Sequence, residues 1–236
     1  MNNQFYRYNW PGDVILGAPK VSDRRWIQSP RSAQRGQARN IPVAHDLRSW
    51  ITSPNNWEIR RVLPILALRG MPSGTAPGSM DARVYYCWQF VAENISYLDE
   101  RLLPRVKGVT DIWQFPAETL ATGSGDCEDC SFLLASLMIA SGISEDKIRV
   151  VIGQLIRIGQ PSQAHAWIIY LDEREIWRVI ESTSQPVEIT RAPTADSAAQ
   201  PGNPNRYSPI LCFNRQEARA LTPEVIEWAH TLYQDL

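Results

Sequence analysis

One cysteine in the sequence stands where covalent acyl-transfer chemistry would need a nucleophile. Cys127 directly follows Gly123-Ser124-Gly125-Asp126 and begins a long apolar run. The first turn of a helix offers unpaired backbone N–H groups and the positive end of the helix dipole, and both favour a thiolate. The two glycines let the backbone approach a substrate closely. Cys127 is therefore a candidate nucleophile, with its own N–H as a candidate oxyanion donor. The alternative is a buried structural cysteine.

A thiol nucleophile needs a base, and the chain has 3 histidines. His45 lies in a proline-rich region, and His230 lies among polar residues near the end of the sequence. His165 opens the strand-like segment AHAW, where small neighbours leave the imidazole accessible. Glu181, late in the next apolar run, is a candidate to orient that imidazole, because a carboxylate in an apolar strand is costly unless partnered. A structural histidine and a surface glutamate are the alternatives.

The pairing of His165 with Glu181 depends on the turn between their two strands. Residues directly opposite in an antiparallel pair share a face, and a slip of one residue reverses it. A two-residue turn would place Glu181 on the wrong face, whereas an odd-length loop or a bulge would place it opposite His165, with Trp167 opposite Val179. We predict such a loop between residues 171 and 176, and a hydrogen bond from Glu181 to a ring nitrogen of His165. The imidazole should lie about 3–4.5 Å from the sulfur of the candidate nucleophile.

The elements that carry these residues can be read from hydrophobic periodicity. The pattern predicts a helix over about 79–100 and a second from Cys127 to about 141, ended by Gly142. The second helix is apolar nearly all round, so it should be buried. Three β-like runs follow, at 148–156, 164–171 and 176–183. Helices followed by antiparallel strands indicate an α+β fold, with the cysteine-bearing helix packed on the sheet.

The remaining segments are less regular. Prolines interrupt residues 1–45, which should form an extended N-terminal arm that packs on its own domain or holds an assembly partner. Residues 46–236 should form one catalytic domain with a core over about 79–214. Short helices are predicted within 46–69, and a short strand at 208–213. A closing C-terminal helix is predicted at about 215–234.

Composition excludes several classes of partner. The 236 residues are 44% hydrophobic and carry 24 basic against 25 acidic side chains, for a net charge of −1. This balance predicts no nucleic-acid partner and no binding to anionic membranes. No signal peptide and no apolar run of about 20 residues is evident, so we expect a cytoplasmic protein with reduced cysteines.

Three segments together resemble the transglutaminase-like superfamily. The block TGSGDCED at 122–129 is similar to its cysteine motif, AHAW to its histidine motif, and WRVIEST to its acidic motif. The resemblance covers roughly residues 80–185. It implies a papain-like core in which Cys127 is the nucleophile, His165 the general base and acid, and Glu181 the orienting acid. Most members carry aspartate at the last position, so here a side chain that is one methylene longer must reach His165.

The same resemblance bears on cofactors. The string Gly-Asp-Cys-Glu-Asp is similar to that of calcium-dependent bacterial cysteine proteinases, in which the acids flanking the cysteine help bind calcium. Asp126 and Glu128 match those positions. The string also occurs in members with no known calcium requirement. We therefore expect no obligatory cofactor, and calcium at Asp126 and Glu128 stays open.

The function expected from these residues is cysteine-dependent attack on amide bonds of protein or peptide substrates. Hydrolysis, as by a protease or isopeptidase, is expected first, with acyl transfer to an amine as the other outcome. A structural component of a larger assembly is an alternative. The spacing Cys127-x-x-Cys130 also leaves a thiol oxidoreductase open. A zinc site is disfavoured, because Cys87 and Cys212 lack paired spacing.

Overall fold

The computed structural model describes residues 14–16, 20–27, 39–74, 76–98 and 113–220, with side chains described from 47 to 219 within these ranges. The helices are α1 (Trp57–Arg60), α2 (Leu63–Leu68), α3 (Ser79–Asn94), α4 (Pro116–Thr122), α5 (Cys127–Ala140) and α6 (Ala195–Ala199). The strands are β1 (Val14–Leu16), β2 (Lys20–Ile27), β3 (Arg39–Asp46), β4 (Ser96–Tyr97), β5 (Ser124–Gly125), β6 (Ile148–Arg157), β7 (Gln163–Leu171), β8 (Trp177–Ile180), β9 (Asn205–Phe213) and β10 (Ala218–Ala220).

An antiparallel sheet of six strands, in the order β1-β10-β9-β6-β7-β8, forms the centre of the described fold. Helix α5 packs on one face of this sheet and is buried along its whole length up to Ile139. Side chains that are fully enclosed in this layer include Phe132, Leu133, Leu134 and Leu137. The predicted α+β fold, with a buried cysteine-bearing helix on an antiparallel sheet, is confirmed.

A smaller apolar layer covers the opposite face of the sheet. Trp167, Val179 and Cys212 point into it, and Ala198 of α6 packs against them from the loop that follows β8. Alternating residues of β7 and β8 therefore enter two different cores. Because both faces are covered, the strands read as nearly continuous apolar runs.

The turn between β7 and β8 confirms one part of the register prediction and corrects another. Leu171 pairs with Trp177, which leaves an odd-length loop of residues 172–176, as expected. Val179 pairs with Ile169 and not with Trp167, so the strands are shifted by two residues from the predicted alignment. A two-residue shift preserves the face of every side chain. His165 and Glu181 therefore share a face as diagonal neighbours rather than as a directly opposed pair.

The start of α5 shows what its two glycines do. Gly123 has φ +64° at the end of α4, a conformation that favours glycine. A Cβ on Gly125 would lie 2.6 Å from the Cβ of Asp129, so this glycine makes room for the first turn of α5. Local backbone geometry therefore accounts for both glycines without the predicted close approach of a substrate. The side chains of Asp126 and Asp129 form a capping box there.

The structure differs from the sequence prediction at the end of one helix and at the start of another. Helix α3 stops at Asn94, since Ile95 is extended and Ser96–Tyr97 pair in parallel with Ser124–Gly125. The predicted closing helix at 215–234 is wrong over its first turns, because Ala218–Ala220 form β10 and pair with β9. Its remainder, from 221, lies outside the described residues. Among the helices that the structure describes, none is long and apolar enough to cross a membrane.

Candidate active site

Three elements bring the predicted site residues to one end of the sheet. Cys127 is the first residue of α5, His165 is the third residue of β7, and Glu181 directly follows β8. Strand β8 ends at Ile180, opposite Ile168, so the first half of β7 extends beyond it. The N-terminus of α5 reaches this stretch of β7, where the backbone N–H of Ala166 hydrogen-bonds the sulfur of Cys127.

His165 and Glu181 form the predicted pair. The distance between His165 Nε2 and Glu181 Oε2 is 2.7 Å. The other carboxylate oxygen, Oε1, accepts hydrogen bonds from the Thr183 hydroxyl at 2.7 Å and the Thr183 N–H at 3.3 Å. Burial would raise the pKa of Glu181, but hydrogen bonds from His165, Thr183 and Tyr207 outweigh it and hold the pKa below its ordinary value. The carboxylate is thus ionised next to the imidazole.

The Cys127 thiol has a different environment from the one that its helix position predicts. It donates a hydrogen bond to Glu128 Oε2 at 3.2 Å. Burial, followed by the charges of Glu128 and Asp126, raises the pKa of Cys127, and the Ala166 N–H offsets only part of this. The expectation that the helix N-terminus alone favours a thiolate is therefore wrong for this arrangement. The predicted separation of 3–4.5 Å between the sulfur and the imidazole stays a prediction.

A buried hydrogen-bond network ties the helix that begins at Cys127 to the segment that follows β8. Ser131 Oγ donates to the Cys127 carbonyl at 2.7 Å and lies 2.9 Å from Ser182 Oγ. Ser182 is the residue after Glu181 and is itself buried. This network holds the first turn of α5 against the segment that follows β8, and so fixes Cys127 relative to Glu181.

Three polar residues outside the predicted triad join the site. Tyr207 on β9 donates to Glu181 Oε2 at 2.9 Å, Thr183 holds the other oxygen, and Ser182 joins the network below. Thr183 and Ser182 follow Glu181 directly, so their proximity to the carboxylate was a signal available in the sequence. Tyr207 is 26 positions away, and only the strand order brings it to the site.

The acids beside Cys127 offer ligand atoms close enough together for a cation. One atom from each of Asp126, Cys127 and Glu128 lies within 4.8 Å of the others. The two carboxylates are hard oxygen donors of the kind that Ca²⁺ prefers, whereas the thiol is not. The donor set therefore fits a calcium ion that completes its coordination with further oxygens.

The other cysteines are part of the core. Cys87 and Cys212 are fully enclosed, and Cys130 is buried in α5 against the main apolar cluster. All four cysteines, Cys127 included, are free thiols. Burial raises the pKa of Cys87 to about 12, so that thiol is unreactive. The location of Cys130 in the helix interior gives the Cys127-x-x-Cys130 oxidoreductase alternative no support.

Comparison with known proteins confirms the resemblance. Residues 70–181 match the family model of the transglutaminase-like superfamily. This segment contains the cysteine helix, the histidine strand and, at its last position, the acid. It carries a transglutaminase-like core. No curated protein sequence matches the chain.

Solved structures similar to the chain include forms of one bacterial protein. LapG of Legionella pneumophila aligns with a TM-score of 0.43 and 19% identity over 67% of this chain and 87% of that one. Its calcium-bound form aligns with a TM-score of 0.42 and 15% identity over 69% and 87%.

Proposed function

We propose that this protein is a transglutaminase-like cysteine enzyme that acts on amide bonds of protein substrates. Cys127 would be the nucleophile, His165 the general base and acid, and Glu181 the group that orients the imidazole. The observation that carries the proposal is the 2.7 Å pair between His165 and Glu181, held beside the strand backbone that contacts the Cys127 sulfur. A nucleophile, a base and an orienting acid in this order are the minimum for acyl transfer.

The geometry assigns a task to each nitrogen of the imidazole. Nε2 faces an ionised carboxylate, so it carries the proton, and Nδ1 is the basic nitrogen. The raised pKa of Cys127 keeps its thiol protonated at neutral pH, so attack requires that Nδ1 take the proton. The sulfur then bonds to the carbonyl carbon of the substrate amide. The resulting oxyanion accepts a hydrogen bond from the backbone N–H of Cys127, because the first N–H groups of a helix have no partner within it.

Breakdown of this intermediate completes the first half of the reaction. The imidazolium of His165 returns its proton to the leaving amine as the C–N bond breaks, which leaves a thioester on Cys127. Attack by water releases a carboxylic acid and restores the thiol, whereas attack by a lysine amine gives a new amide. Hydrolysis of a peptide or isopeptide bond is our first proposal, and acyl transfer to an amine is the second.

We also propose that Asp126 and Glu128 hold calcium. Their carboxylates lie on either side of Cys127, within the cluster of ligand atoms described above. A bound calcium ion would supply a fixed positive charge beside the nucleophile. Glu128 also accepts the hydrogen bond of the Cys127 thiol, so this carboxylate shapes the environment of the sulfur directly.

Mass spectrometry of candidate protein substrates tests the proposed enzyme. Incubation with wild type should yield cleavage products, or mass changes that indicate deamidation or cross-linking, and Cys127→Ala should yield none. The fold of Cys127→Ala should be intact, because alanine is tolerated at a helix start. Cys130→Ser is the matched control: it should keep activity, with some loss of stability from a polar group in the apolar cluster. Full activity in Cys127→Ala would exclude the cysteine mechanism, and an inactive but folded Cys130→Ser would instead favour redox chemistry.

A further inference from the structure

Tyr207 lies on β9, two strands away from His165, yet its side chain reaches the carboxylate of the proposed triad. We propose that Tyr207 is a positioning residue, which holds Glu181 in the orientation that fixes the His165 tautomer. This inference rests on the proposed function. It concerns a residue outside the three sequence motifs and outside the segment that matches the superfamily model.

The hydrogen bonds of Glu181 show what Tyr207 contributes. Oε1 is held by two donors of Thr183, which is a local contact two residues away. Oε2 accepts from His165 at 2.7 Å and from the Tyr207 hydroxyl at 2.9 Å. Tyr207 is therefore the donor from a distant strand that shares the oxygen facing the imidazole. Without it, that oxygen would keep His165 as its one donor among the described contacts, and Thr183 would hold the carboxylate from the other oxygen.

The tyrosine ring is itself fixed by packing. It meets Trp167 edge-on, with ring centroids 5.1 Å apart and an interplanar angle of 69°. Its centroid lies 6.3 Å from that of His165, and Trp167 in turn stacks on His165 at 6.1 Å. Edge-to-face aromatic contacts of this kind restrict the ring plane. The hydroxyl is consequently presented to Glu181 from a rigid support.

Gly153 provides the space for this arrangement. It lies on β6 between the strands of Tyr207 and His165, and pairs with His165 on one side and Pro209 on the other. A Cβ on Gly153 would come within 2.9 Å of the Trp167 ring and 2.2 Å of a backbone oxygen of β9. A side chain at this position would thus displace the ring on which Tyr207 packs.

A glutamate at the acid position makes such support necessary. Glutamate has one more rotatable bond than aspartate, so more side-chain entropy is lost when its carboxylate is held in one place. Thr183 holds Oε1 and Tyr207 holds Oε2, so the carboxylate of Glu181 is fixed in one orientation. The longer side chain can then direct His165 Nε2–H as an aspartate would.

Tyr207→Phe tests the proposal, because it removes the hydroxyl and keeps the ring. Loss of a hydrogen bond to a charged group should lower kcat roughly tenfold, with KM unchanged within about twofold. NMR of ¹⁵N-histidine-labelled protein should show the His165 Nε2–H exchanging with water roughly tenfold faster. Tyr170→Phe is the matched control, since its hydroxyl also donates to a carboxylate, that of Asp81, at 2.9 Å. It should change neither readout.

A double mutant separates positioning from a general effect on the fold. In a Glu181→Gln background the carboxylate is absent, so adding Tyr207→Phe should lower kcat less than twofold further. Fully additive losses would overturn the proposal, as would a Tyr207→Phe variant with wild-type exchange of His165 Nε2–H. The exchange measurement needs no substrate. It therefore decides the role of Tyr207 even if Cys127→Ala were to retain activity and the proposed function were to fail.

Discussion

The protonation of Cys127 is set by its neighbours more than by its place in a helix. A negative charge at an exposed helix N-terminus is stabilised by about 0.3–1 kcal/mol through the helix dipole and the free N–H groups. A buried thiol between two carboxylates faces a larger and opposite effect, and its pKa is raised. In the proposed mechanism, proton transfer to His165 therefore accompanies attack. The residue types alone predicted Cys127 as a candidate nucleophile, but the burial and the charges around it set its protonation.

Glu181 should contribute to stability in a pH-dependent way. Its pKa is lower in the folded protein than the ordinary value of 4.5, so the ionised carboxylate stabilises the fold above that pH. This contribution should vanish as the pH falls through the folded-state pKa. Glu181→Gln should therefore lower the free energy of unfolding by about 1–3 kcal/mol at pH 7 and by much less at pH 3. Urea denaturation at both pH values measures the difference.

The control for this experiment is an exposed glutamate. Glu188 makes a surface ion pair with Arg191 in which both side chains are mostly exposed. Such pairs contribute little to stability. Glu188→Gln should leave the urea midpoint unchanged at either pH. An equal effect of Glu181→Gln at pH 7 and pH 3 would contradict the assigned hydrogen bonds to an ionised carboxylate.

At the scale of elements, the loop between β7 and β8 decides which residues can meet. Asp172 accepts the N–H groups of Arg174 and Ile176 through its side chain, and Glu175 closes the turn with φ +60°. The odd number of residues in this loop places His165 and Glu181 on the same face of the sheet. The exact alignment, two residues away from the simplest one, depends on this turn geometry and not on the strands.

The positive φ of Glu175 leads to a prediction about the turn. A non-glycine residue in this conformation is strained, and glycine adopts it freely. Glu175→Gly should therefore leave stability unchanged or raise it by up to about 1 kcal/mol, measured as the free energy of unfolding in urea. The neighbouring Glu173 accepts N–H groups of Gly78 and Met80 at the start of α3. Glu173→Gly should be destabilising, and a destabilised Glu175→Gly would show that the turn adopts another form.

At the scale of the whole molecule, the site exists only where three parts of the chain converge. Helix α5 covers one face of the sheet, β8 ends early, and β9 passes the far side of β6. Cys127 comes from the helix, His165 from one strand, and Glu181 from the end of another. The buried Ser131–Ser182 contact holds the helix and the strand in one relative position.

Calcium binding should be visible in the stability of the whole protein. A ligand that binds only the folded state raises its stability by mass action, by about 2.7 kcal/mol at 100 times the Kd. For a chain of this size the melting temperature should rise by roughly 5–10 °C. Differential scanning fluorimetry with CaCl₂, and with EGTA as the metal-free reference, measures this shift. The double substitution Asp126→Asn with Glu128→Gln should abolish it, and Glu188→Gln should not. No shift in wild type would exclude the site.

The fold class and the three candidate residues of the triad follow from the amino-acid sequence alone. These predictions rest on local patterns: an apolar helix, the β-like runs and the three motifs. The folded protein has a helix and two strands at the positions that these patterns indicate. Side-chain alternation also fixed that His165 and Glu181 need an odd-length turn between them, since the period of a strand is two.

Features that depend on residues distant in the sequence appear only in the folded protein. The two-residue shift of β8, the raised pKa of Cys127 and the contact of Tyr207 with Glu181 all arise from groups that meet only after folding. Likewise Ala218–Ala220 became a strand because an unpaired edge of β9 was available to them. Protonation depends on burial, hydrogen bonds and nearby charges, which come from residues that meet in space. The sequence pattern therefore predicted the candidate residues but neither their protonation nor their hydrogen-bond partners.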